Sequence, residues 1–224
     1  MTVRLTVERL GRQGDGVAPG PVHVACALPG EEVEGAVEAG RMAAPRILRP
    51  SPDRVRPPCA HFRRCGGCAL QHASDGFVAA WKQDMVRAAL ARAGIAGPMR
   101  PVVTSPARSR RRATLAGRRT KMGAVVGFHA RASDTVVDVP GCLLLRPELV
   151  ALIPTLEALT VAGGSRKGEI AFALTLSEAG VDLAATGGKP LDLALRGTLA
   201  AAAAAADLAR LSWNGETVAA RRPP

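Results

Sequence analysis

The stretch PPCAHFRRCGGCALQHA, residues 57–73, sets three cysteines within ten positions, with two prolines ahead of them and Gly66-Gly67 inside the tightest gap. Cys59, Cys65 and Cys68 form a C-x5-C-x2-C pattern. Thiolates are soft ligands suited to zinc or to iron–sulfur iron, and both centres want four ligands. The two glycines let the sulfurs of Cys65 and Cys68 converge, because glycine accepts positive φ and leaves backbone N–H groups to face sulfur. The fourth ligand has three candidates. His61 or His72 would complete a zinc site of three cysteines and one histidine, whereas Cys142, in DVPGCLLLRPEL, would complete an all-cysteine set closed across a long loop. Spacing leaves zinc and iron–sulfur both open. Cys26, in VHVACALPG, stands far from these in sequence and reads as a small buried hydrophobe, and His23 and His129 read as ordinary strand residues.

Outward from the cluster the chain is strongly basic. Its 224 residues carry 30 Lys and Arg against 19 Asp and Glu, a formal charge of +11. Arginine supplies most of it, and arginine grips phosphate with a planar fork where lysine offers a point charge. A polyanion, RNA or DNA first, is the expected partner. With aromatics at 3% and no tyrosine, base stacking would fall to Phe62, Phe77, Trp81, Phe128 or arginine planes. No run approaches the roughly 18 apolar residues of a membrane span. The N-terminus MTVRLTVERLGRQGDG alternates and carries acids, unlike a secretory signal. A cytoplasmic monomer is expected, where five cysteines speak for a metal or redox site rather than disulfides.

Residues 1–55 read as short strands separated by glycine-rich turns, in number and spacing like a small OB-like β-barrel. LGRQGDG matches neither a dinucleotide fingerprint nor a phosphate loop, and tight turns account for its glycines. RILRPSPDRVRPPC reads as a linker. Ser74 is a plausible N-cap for a helix in which Phe77, Trp81, Met85 and Ala89 recur every fourth residue, with Gly94 past its end. Beyond it VVGFHA and TVVDV are strands, RPELVALIPTLEAL a helix, EIAFALTLSEAGVDLAAT a strand pair and LDLALRGTLAAAAAADLARL a helix, a pattern that suits an α+β layer. Asn214-Gly215 marks a hairpin turn, after which barely one strand remains. The fold class expected is therefore α+β, with a barrel over 1–55 and a second domain over 56–224 that is incomplete at its C-terminus.

PPCAHFRRCGGCALQH, WKQDMVRAALARAGI, RRRATL and VGFHARASDTVVDVPGCLLLRPEL together resemble the N-terminal half of the bacterial ribosomal RNA (uracil-5-)-methyltransferases. The resemblance runs from about residue 3 to 217, and residues 1–55, with their ALPGEEV phrase, resemble the family's TRAM barrel. It implies that Cys59, Cys65, Cys68 and Cys142 are the ligands of a [4Fe-4S] cluster remote from the chemistry. It also implies that Arg110, Arg111, Arg112, Arg118, Arg119, Lys121 and Arg131 present a basic face to RNA phosphates, although Ser109 stands where the family usually has an aromatic. The reaction implied is methyl transfer from S-adenosylmethionine to a uracil, by way of a cysteine adding to C6 and a carboxylate base. These catalytic groups belong to a Rossmann-like domain expected to be missing here, so no catalytic residue is assigned to this chain. A stand-alone zinc or iron–sulfur RNA-binding module is the alternative expectation.

Overall fold

The first seven strands are short: β1 (Thr2–Thr6), β2 (Arg9–Leu10), β3 (Gly16–Ala18), β4 (Val22–Val24), β5 (Glu32–Ala36), β6 (Arg41–Met42) and β7 (Arg46–Arg49). The structure is a computed structural model that describes residues 2–221. It pairs these strands as two sheets, β1-β5-β7 and β2-β3-β4-β6, in place of the single closed barrel expected. Turns recur every few residues and interrupt the pairing, so no single ladder runs through all seven strands. Alternation still sorts side chains, as β1 is alternately exposed and half-buried, and Val7, Ala18, Val24, Ala27, Val33 and Met42 close a small core.

The chain divides into two compact units. Residues up to Ala60 and Cys68–Thr104 make the first, and His61–Gly67 with everything from Ser105 onward make the second. The first unit also holds α1 (Asp75–Arg92), whose cap is the predicted one: Phe77 N–H donates to Ser74 Oγ at 3.3 Å. The period of four is realised only in its first turns. Phe77, Val78 and Trp81 pack against Leu10, Leu28 and Ala73, while no residue of the helix is fully buried.

The second unit is built on β8 (Arg112–Arg119), β9 (Ala124–His129), β10 (Val136–Asp138), β11 (Ile170–Ser177), β12 (Gly180–Thr186), β13 (Arg210–Trp213) and β14 (Glu216–Ala220). They form one seven-stranded sheet in the order β10-β9-β8-β11-β12-β13-β14. Every pairing is antiparallel except β12 with β13. That parallel pair is joined by α4 (Leu193–Ala205), the alanine-rich helix, in the crossover connection that parallel strands require. Cross-strand partners Leu115 and Phe172, Leu174 and Leu183, Leu183 and Leu211, and Ala185 and Trp213 line one face. With them pack Leu149 of α2 (Pro147–Val150), Leu156 and Leu159 of α3 (Ile153–Gly163), and Leu195, Leu199 and Ala203 of α4. A β-carbon on Gly163 or Gly188 would come within 2.3 and 2.0 Å of the Trp213 ring, so glycine there makes room for the indole.

The expected fold class is therefore corrected. The chain is mostly sheet, and its larger unit is a mixed sheet carrying a parallel βαβ connection. Sequence patterning located α3, α4 and the β11–β12 hairpin, but the register that joins them into one sheet rests on pairings between distant residues.

Candidate cysteine and nucleic-acid sites

Among the described residues none of the five cysteines forms a disulfide. Cys65 and Cys142 lie in the second unit, both buried in its apolar core. Their segments are tied together there: His61 Nε2 is 2.8 Å from the Pro140 carbonyl, Cys65 N–H donates to His61 O at 2.8 Å, and Cys142 N–H donates to Val139 O at 3.1 Å. Cys65 also bridges to Ala130, and Gly66 N–H donates to His129 O at 2.8 Å, fixing the loop on the end of β9.

Gly67 N–H donates to Cys65 Sγ, 3.3 Å away. Positive φ is not the reason for the glycine pair. A β-carbon on Gly66 would sit 2.7 Å from the His129 carbonyl and one on Gly67 2.9 Å from the Phe128 ring, so both are needed for close approach to β9.

Cys59 and Cys68 lie in the first unit. Cys59 N–H donates to Gln71 Oε1 at 3.3 Å, which ties it to the segment following Cys68. Of the two histidines weighed as fourth ligand, His61 is half-buried with one ring nitrogen on the Pro140 carbonyl, and His72 is buried. Among the described residues no group of three or more His, Cys, Asp or Glu side chains is gathered around a point that could hold a metal ion. The four thiols suit a soft metal in kind, and local bonds tie the Cys65 segment to the Cys142 segment and Cys59 to the segment after Cys68.

The seven cationic residues fall at separate places. Arg110, Arg111 and Arg112 enter β8, held by main-chain bonds: Arg110 N–H to Leu144 O at 3.1 Å, Arg146 N–H to Arg110 O at 3.0 Å, and Leu176 N–H to Arg111 O at 2.8 Å. Arg118, Arg119 and Lys121 stand at the other end of the strand, roughly 20 Å away at about 3.3 Å per residue. Arg118 Nε lies 3.3 Å from Glu169 Oε2, which His129 Nε2 also approaches at 3.0 Å. Arg131 sits over the Phe62 ring, 5.1 Å from its centroid. Phe62 is buried, and Phe77, Trp81 and Phe128 are half-buried against their cores, so the aromatics serve packing rather than exposed stacking.

Sequence reading missed one constellation. Arg9 pairs with Val17, Val17 with His23, and His23 with Arg41, which sets three basic side chains in a row across the four-stranded sheet. No local signal marks it, because a row across strands is spread over more than thirty residues of sequence.

No protein-family model matches the chain. It is 37% identical over 226 residues to an uncharacterized RNA methyltransferase of Brucella suis, an alignment that takes 100% of this chain and 54% of the relative. A counterpart from Caulobacter vibrioides is 36% identical over 233 residues, covering 98% of this chain and 56% of the relative. The 23S rRNA (uracil(1939)-C(5))-methyltransferase RlmD of Vibrio cholerae is 37% identical over 168 residues, 69% of this chain and 38% of that protein. The chain thus spans about half the length of the curated relatives it matches. Among solved structures, the Pyrococcus abyssi tRNA (uracil-54, C5)-methyltransferase in complex with S-adenosyl-L-homocysteine matches with a TM-score of 0.59 at 19% identity, over 94% of this chain and 50% of that one. The recognition drawn from the cysteine block holds: over nearly its whole length the chain is similar to proteins named RNA methyltransferases. The fold-level match over nearly the whole chain overturns the expected fold class, and the expectation of a missing Rossmann-like domain has no support.

Proposed function

We propose, for a chain related along its whole length to RNA methyltransferases, that it is the RNA-binding and [4Fe-4S]-binding part of an S-adenosylmethionine-dependent RNA (uracil-C5) methyltransferase acting on ribosomal RNA. The observation that carries the proposal is the whole-length similarity to such proteins. The match to a 23S rRNA uracil-C5 enzyme supports the base and the RNA class. In this reading Cys59, Cys65, Cys68 and Cys142 ligate the cluster, supported by their C-x5-C-x2-C spacing, the local ties within each pair, and the Gly67 N–H facing sulfur. The cluster supplies structure rather than electrons, since a metal that joins segments distant in sequence adds its binding energy to folding. Arg110, Arg111, Arg112, Arg118, Arg119, Lys121 and Arg131 meet phosphates, with arginine forks matching phosphate oxygens.

S-adenosylmethionine is the methyl donor that the reading implies. One strand-to-helix turn of the described residues, Gly187-Gly188 between β12 and α4, has the glycines that a cofactor's close approach would use. Those glycines are occupied by packing: β-carbons there would meet the Glu169 carbonyl at 2.5 Å and Trp213 at 2.0 Å. The turn therefore does not fit the cofactor. The chain's part is to hold and orient RNA, as a monomer.

Deleting the gene and quantifying 5-methyluridine in digested ribosomal and transfer RNA by mass spectrometry tests the reading. One site in ribosomal RNA should lose its methyl group and regain it on complementation. Unchanged 5-methyluridine in every RNA would overturn the assignment.

A further inference from the structure

The row of basic side chains in the first unit belongs to a cleft that the reading above does not use. Cross-strand partners share a face of their sheet, so Arg9, His23 and Arg41 stand side by side with Val17 among them. Four strands about 4.8 Å apart make the row roughly 14 Å long. The loop from β2 to β3 folds beside it, closed by Gly11 N–H donating to Asp15 O at 2.7 Å and Gly14 N–H donating to Gly11 O at 3.0 Å. Gly11 packs close, since a β-carbon there would meet Val17 at 3.3 Å and the His23 ring at 4.0 Å. The loop and the sheet enclose about 490 Å3, lined by Arg9, Arg12, Gln13, Asp15, His23 and Arg41.

The charges in this cleft are unequal. Three guanidinium groups face one carboxylate, and Asp15 lies 3.0 Å from Arg41 Nη2, so its charge is matched and Arg41 is held in place. Arg9 and Arg12 are exposed and are left as the excess cations of the cleft, with Gln13 and His23 as further donors. Such a set suits a doubly oxygenated anion, because each guanidinium offers two parallel N–H donors at the spacing of phosphate oxygens. The volume lies within the roughly 300–1,000 Å3 of ordinary ligand pockets, and the row extends past one phosphate in length.

We propose that this cleft seats a phosphodiester of an RNA strand, gripped by Arg9, Arg12 and His23 with Arg41 ordered by Asp15. The inference rests on the reading that the chain binds RNA, and it adds a binding site apart from the seven cations named above.

Fluorescence anisotropy of a labelled ten-nucleotide single-stranded RNA, titrated with the full 224-residue chain over a series of KCl concentrations, tests it. Arg9→Ala with Arg12→Ala should weaken binding about tenfold and flatten the plot of log affinity against log salt by about 1.4, at roughly 0.7 for each phosphate no longer neutralised. Both residues are exposed, so the thermal midpoint should not move. Should the double variant fold poorly, Arg12→Glu alone, in the loop, is expected to weaken binding and leave the midpoint in place. Inorganic phosphate at constant ionic strength should fail to displace the RNA from the wild-type chain. Displacement at millimolar phosphate would make this a free-phosphate site and overturn the backbone assignment. A double variant that binds with unchanged affinity and slope would overturn this inference alone, whereas a wild-type chain that binds no RNA would overturn both it and the reading on which it rests.

Discussion

Glu31 shows how much a single residue can hold in this chain. Its side chain is fully buried, and an ionised carboxylate in such a place is costly unless it is paired and hydrogen-bonded. Leu28 N–H and Ser51 N–H donate to its two oxygens at 2.8 and 3.0 Å, and Arg54 binds both, Nη2 to Oε2 at 2.6 Å. Burial by itself would raise the Glu31 carboxyl above its ordinary range, but the bond to Arg54, the two backbone donors and the Arg54 charge together bring it below. Arg54 also donates to the Cys26 carbonyl at 2.8 Å, so the lock ties the segment after β7 back onto the strands. Arg54→Ala should cost about 3 kcal/mol in urea unfolding, at the low end for a broken buried pair because the backbone donors remain. A group with a lowered folded pKa stabilises above its unfolded pKa, here the ordinary 4.5, and loses that contribution as pH falls through the folded value. Stability of the wild-type chain should therefore fall below about pH 4.5, and Glu31→Gln should blunt that fall. An identical acid limb in both proteins would remove Glu31 from the account. None of this was legible beyond the ALPGEEV phrase, since the partner stands 23 residues away and nothing in local sequence names it.

At the scale of elements, features fixed by sequence neighbours are legible in the sequence and long-range pairings are not. The Ser74 cap, the alanine-rich α4 and the Asn214-Gly215 turn between β13 and β14 are each decided by neighbours in sequence, and both turn residues have positive φ, 49° and 89°, as a type I′ turn requires. The assembly of seven strands into one sheet depends on partners such as Thr114 and Ala173, and the two small sheets depend on pairs such as Thr2 and Ala36. The arginine run entering β8 joins both scales. Its backbone is fixed by bonds to residues 144, 146 and 176, so Arg111 and Arg112 leave a rigid frame and are exposed. A side chain offered to solvent from a fixed backbone loses less entropy on binding than one on a mobile loop. Arg111→Ala with Arg112→Ala should weaken RNA binding and lower the salt slope by up to about 1.4, with unfolding unchanged. An unchanged slope would assign the pair to a solvated face.

For the molecule as a whole, net charge is a poor guide to where nucleic acid binds, because much of it is matched locally. Arg4 and Arg46 share Glu34, Arg210 lies 2.6 Å from Asp182, and Arg196 lies 2.7 Å from Glu216. The cysteine block was the better signal of what the chain is similar to, since a spacing motif stays legible in sequence where a surface potential does not. Their chemistry also gives the sharpest test of the whole chain. Iron–sulfur ligation by Cys59, Cys65, Cys68 and Cys142 predicts a brown protein on anaerobic purification, with about four iron and four sulfide per chain. Cys142→Ser should lose the colour and most of the iron, because the thiolate is the soft ligand and a hydroxyl is not. Cys26 is a separate matter. Its backbone has φ 52° and its carbonyl accepts from Arg54, features that involve no thiol, so Cys26→Ser should keep full iron content. Since metal binding and folding are coupled, the Cys142 variant and a chelated wild-type chain should also unfold at lower urea than the loaded protein. A colourless protein holding one zinc would replace the cubane by a zinc site, either all-cysteine or completed by a histidine, and equal iron in the two serine variants would separate the cluster from Cys142 altogether.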